Sequence, residues 1–108
     1  MKVNELNKRV TVAIYDALHA ESGGEAEKIK QAFAHVSALE GELASYLPAG
    51  GVEGDIAREG AVRAALKSED PQRARELAEK YLAEEISEDT KETLLELTRN
   101  AQEKMVVS

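Results

Sequence analysis

Two consecutive glycines, Gly23 and Gly24, separate two long stretches that each carry a helical hydrophobic period. From Glu25 to Leu47, the residues Ile29, Ala32, Val36, Leu39, Leu43 and Tyr46 recur at steps of three and four, flanked by Phe33 and Leu47. From about Lys2 to Ser22, Val3, Leu6, Val10, Ala13, Ile14 and Ala17 make a matching stripe with Leu18 at its edge. The glycine pair stops the first helix and leaves a connection so short that the second must return along it. The expected core unit is therefore an antiparallel helical hairpin.

Each arm of this hairpin has a further face. Opposite its apolar stripe, the second helix carries Ala34, Ser37, Ala38, Gly41 and Ser45, small residues that let another backbone approach closely. On the first, Val12, Tyr15 and His19 form a smaller cluster on the otherwise polar side. Tyrosine is a residue type enriched at protein interfaces.

Leu47-Pro48-Ala49-Gly50-Gly51 ends the hairpin, because proline and paired glycines cannot continue a helix. Val52 to Gly54 reads as linker, with Asp55 as the N-cap of a third helix over Ile56 to Lys67. That helix is alanine-rich, through Ala57, Ala61, Ala64 and Ala65, and Gly60 lies inside it. Asp70-Pro71 starts a fourth helix running to about Glu85, with Ala74, Leu77, Ala78, Tyr81 and Leu82 inward. Ser87 caps a fifth, whose stripe is Thr90, Leu94, Leu97, Ala101 and Met105, with Leu95 off it. The apolar tail Val106-Val107-Ser108 is expected to dock or fray.

No stretch alternates with period two, so the fold class is all-α: a five-helix bundle built on the N-terminal hairpin. The expected organisation is a single helical domain over 1–108, with the long hairpin in 1–47 and three shorter helices in 55–105. Around Ala65 to Tyr81, Asp70 with the Ala74, Ala78 spacing resembles the turn of a tetratricopeptide unit. No second copy occurs at the period of about 34 residues that an array requires, and no family is assigned.

With 108 residues, 43% of them hydrophobic and 4% aromatic, the core is built from small aliphatic side chains. Such contacts bury little area each, which makes oligomerisation a natural source of added stability. The absence of cysteine excludes disulfides, zinc–thiolate sites and thiol nucleophiles, and is compatible with cytoplasmic residence. Val10 to Ala20 is too interrupted, by Asp16 and His19, for the apolar core of a signal peptide. Nothing approaches the roughly 18 apolar residues of a membrane span.

The net charge is −7, from 21 acidic and 14 basic residues, and no segment between the helix breaks is net basic. A nucleic-acid partner is therefore disfavoured, since phosphate binding needs a positive footprint. The alternative of an accessory subunit in a nucleoprotein complex rests on Arg58, Arg63, Lys67, Arg73 and Arg75.

Candidate chemistry is sparse. His19 and His35 sit at different distances from the hairpin turn, an offset of about 10 Å at the helical rise, too far to share one metal ion. A phosphorylatable histidine would need a lysine–glycine pair near it, whereas His35 has only Gly41 six residues on. Glu84, Glu85, Glu88 and Asp89 lack the alternating oxygen ligands and central glycine of a calcium loop. Gly50, Gly51 and Gly54 are followed by acid instead of the lysine of a phosphate cradle. No catalytic residue, cofactor or metal ligand is assigned.

The sequence thus leads to a small cytoplasmic interaction or assembly subunit, a homo-oligomer or a component of a larger complex. Its expected contact residues are Ala34, Ala38, Gly41 and Ser45, with Val12, Tyr15 and His19. A small-ligand site inside the bundle is the third possibility.

Overall fold

In the computed structural model, which describes residues 2–107, the chain forms α1 (Lys2–Gly23), α2 (Ala26–Ser45), α3 (Val52–Lys67), α4 (Pro71–Leu82) and α5 (Glu88–Val107). There is no strand among the described residues. Gly24 closes α1 at φ 79°, a left-handed conformation that glycine adopts without a Cβ penalty, and its N–H reaches the carbonyls of Ala20 and Glu21. The reversal follows at once, and α2 packs antiparallel on α1 through Leu6, Val10, Ala13, Ala17, Val36, Leu39 and Leu43.

The helices then follow one another up and down across a slab of 38 × 37 × 17 Å. Among the described residues α1 packs on α2 alone, whereas α3 packs on α2, α4 and α5. The alanines of α3 explain its central place. Ala57, Ala61, Ala64 and Ala65 are all buried, and small side chains on every side let three helices approach one axis. Leu94 and Ala101 of α5 and Ala74, Ala78 and Tyr81 of α4 complete this half of the core.

Several boundaries differ from expectation for identifiable reasons. Helix α3 begins at Val52, so Asp55 lies inside its first turn and is not the N-cap; Gly51 takes that position. The Asp55 carboxylate instead accepts from the N–H of Gly50 at 2.9 Å and of Ser87 at 3.0 Å, tying two loops together. Helix α5 has 20 residues, as many as α2, so the C-terminal helices are not uniformly shorter. Tyr46 does not extend the α2 stripe: it is the C-cap residue and 52% exposed. Met105 is exposed as well.

Asp70 caps α4 as expected, accepting from the Arg73 N–H at 3.1 Å, and Ser87 accepts from Thr90 N–H at the start of α5. Of the terminal Val106-Val107-Ser108, the last helix takes in Val106 and the backbone of Val107. Ser108 and the Val107 side chain lie outside the described residues.

Candidate functional site

The outer face of α1 follows from its packing. Leu6, Val10, Ala13 and Ala17 use up the side toward α2, and no other helix covers the rest among the described residues. Val12, Tyr15 and Leu18 are 60%, 76% and 54% exposed, with Ile14 partly exposed beside Leu18 and His19 exposed one turn beyond Tyr15. Val12 also lines a groove of about 450 Å³ between α1 and α2, together with Lys8, Arg9, Ala13, Asp16, His35 and Leu39. The expected cluster of Val12, Tyr15 and His19 is thus on the surface, and Ile14 and Leu18 enlarge it.

The small-residue face of α2 divides in two. Ala34, Ala38 and Ser45 are exposed. Ser37, by contrast, is fully buried, donating to the Ala61 carbonyl at 2.8 Å and accepting from Arg73 Nε at 3.0 Å. A Cβ on Gly41 would stand 3.6 Å from the Arg73 guanidinium and 3.8 Å from the Tyr81 hydroxyl. Half of this face therefore already has neighbours within the chain: the small residues accommodate two long side chains from α4.

A buried polar seam runs from that contact through α3. Arg58 donates to Glu84 at 2.7 Å, to the Gly54 carbonyl at 2.9 Å and to the Leu47 carbonyl at 3.1 Å, with its guanidinium 5.5 Å from the centre of the Tyr81 ring. Burial alone would raise the Asp55 carboxyl, but the N–H groups of Gly50 and Ser87 and the nearby Arg58 outweigh it and hold the carboxyl below its ordinary value. Thr90 donates to Glu59 at 2.8 Å, joining α5 to the same seam. Glu40 is the exception: it is only 9% exposed and no protein group donates to it, and its carboxylate oxygens keep contact with solvent, since no fully buried polar atom lacks a partner among the described residues.

The five basic residues proposed for nucleic acid are dispersed. Arg58 is buried in the seam, Arg73 lies on Ser37, and Arg75 pairs with Glu79 at 3.3 Å. Arg63 pairs with Glu59 at 3.8 Å, and the Lys67 ammonium stands 5.0 Å from the centre of the Phe33 ring. Of the five, Arg63 and Lys67 line one shallow groove of about 320 Å³, together with Lys104 and Glu103. No group of three potential metal ligands occurs among the described residues. No helix there is long and apolar enough to cross a membrane.

Comparison with known proteins gave no match: no family model, curated protein or solved structure aligns with the chain.

Sequence reasoning missed Glu40 and placed Arg58 in a surface patch, where the fold buries it. Each had a signal in its position on the helix. Arg58 follows Ala57 on the α3 arc that also buries Ala61 and Val62, and Glu40 falls between Val36 and Ala44 on an apolar arc of α2. A charged residue inside an apolar arc marks either a buried pair or a site.

Proposed function

We propose that this chain acts through protein–protein contact, as a homodimer or as a subunit of a larger cytoplasmic assembly, with no catalytic step of its own. The contact surface in this reading is the outer face of α1: Val12, Tyr15 and His19, extended by Ile14 and Leu18, with the exposed Ala34, Ala38 and Ser45 of α2 as a second contact. The observation that supports it is the exposure of Val12, Tyr15 and Leu18 on a helix with a single neighbour among the described residues. Covering such apolar side chains yields roughly 25 cal/mol for each Å² removed from water. Direct contact with nucleic acid has less support, because the buried Arg58 and the occupied Arg73 cannot reach a phosphate without leaving their present partners.

The test combines light scattering at micromolar concentration with affinity capture from the native host, on wild type and on a Tyr15→Glu, Leu18→Glu double variant. Both positions are exposed, so the variant is expected to keep the helical circular dichroism spectrum and melting temperature of the wild type while losing the dimer or the captured partner. A wild-type monomer whose captured proteins are unchanged in the variant overturns the reading.

A further inference from the structure

Glu40 is 9% exposed and projects from α2 onto α3 at Gly60. The glycine makes this position possible, since a Cβ on residue 60 would fall on the Glu40 carboxylate itself. Around it, α3 offers Arg63, which is half-exposed and shared with Glu59 at 3.8 Å. Helix α4 offers Tyr81, whose hydroxyl feels the Glu40 charge, and Arg73, which is held on Ser37. On α1, Lys2 pairs with Glu42 and Arg9 with Glu5. On α2 itself the neighbouring turn positions are Val36, Ser37, Leu43 and Ala44, none of them charged.

We propose that Glu40 is a proton-operated latch between α2 and α3: neutral, it lies closed over Gly60, and on losing its proton to solvent it withdraws toward Arg63 and water, loosening the hairpin of α1 and α2 from α3. At 9% exposure an ionised carboxylate loses much of its hydration and keeps only the water that reaches its oxygens, since no protein group donates to it among the described residues, whereas a neutral carboxyl tolerates the position. Burial accordingly pushes the Glu40 carboxyl up from 4.5 to about 7, with Arg63 pulling in the opposite direction. The latch thus works near neutral pH. It is independent of what α1 binds.

The experiment uses the full chain. Carboxyl carbon NMR follows the titration of Glu40 from pH 4 to 9, and amide hydrogen exchange, corrected for its intrinsic pH dependence, follows α2 and α3 over the same range. Glu40 should titrate well above the ordinary glutamate value, and protection at the α2–α3 contact should fall by up to about tenfold between pH 6 and 8; linkage allows up to about 300-fold over the whole shift. Glu40→Gln should be flat over that range. In Gly60→Ala the displaced carboxyl should titrate as an ordinary glutamate. The latch is ruled out if wild-type Glu40 titrates with the surface glutamates, or if protection in wild type and Glu40→Gln changes equally with pH. The wild-type titration stands alone should either variant fail to fold.

Discussion

Arg58 brings five N–H donors into a position only 4% exposed, and its neighbours use them on Glu84 and on the carbonyls of Leu47 and Gly54. Replacing it with alanine strands those acceptors and a partly buried carboxylate together. Arg58→Ala should therefore cost about 3–5 kcal/mol in urea unfolding, while Arg75→Ala, which removes only the exposed pair with Glu79, should cost less than about 1 kcal/mol. Asp55 acts in the opposite chemical sense, as an acceptor for the N–H groups of Gly50 and Ser87. Its carboxyl is held low in the folded chain, so the stability it contributes is present above the ordinary aspartate value near 3.9 and is lost as the pH falls through the folded value. Asp55→Asn should be less stable than wild type by about 1–3 kcal/mol at pH 6, and the gap should narrow in acid when both are unfolded with urea below pH 3. Neither role was legible in the sequence: Asp55 looked like a cap because Asp precedes an apolar period, and Arg58 looked like a surface charge because its partners lie in other elements.

At the scale of elements, α1 and α3 differ most. Helix α3 has α2, α4 and α5 around it, whereas α1 has α2 alone among the described residues. Its attachment depends on Leu6, Val10, Ala13 and Ala17, two of which are alanines that bury little area. In native-state hydrogen exchange the central amides of α1 are expected to open at a lower free energy than those of α3, with α1 leaving as a unit. Equal protection in the two helices would contradict this order of stability. The same asymmetry explains why the second face of α2 was only half legible from sequence. A helical wheel correctly separates a small-residue arc from an apolar one. It does not say that Arg73 and Tyr81 fold over Ser37 and Gly41 while Ala34 and Ala38 are left open, because α4 is some forty residues away in the chain.

For the molecule as a whole, the two unusual carboxyls combine into one pH profile. A carboxyl raised in the folded state weakens stability as pH climbs from the unfolded value to the folded one, so Glu40 removes up to about 3 kcal/mol between pH 4.5 and about 7. Asp55 removes stability below that window, and self-repulsion from the net charge of −7 grows above it. Urea unfolding of the whole chain should therefore show its maximum on the acid side of neutrality, near pH 5, and Glu40→Gln should move that maximum upward. The all-helical class, the hairpin about Gly23-Gly24, the caps at Asp70 and Ser87 and most core positions could be read from the chain directly. These depend on local periodicity and on backbone chemistry within a few residues. What Glu40, Asp55, Arg58 and Ser37 do required the folded molecule, because their environments are assembled from helices distant in sequence. Burial and charge pairing exist only once those helices meet, and so the stretch from Glu25 to Leu47 announced a second face while its neighbours were supplied by α3 and α4.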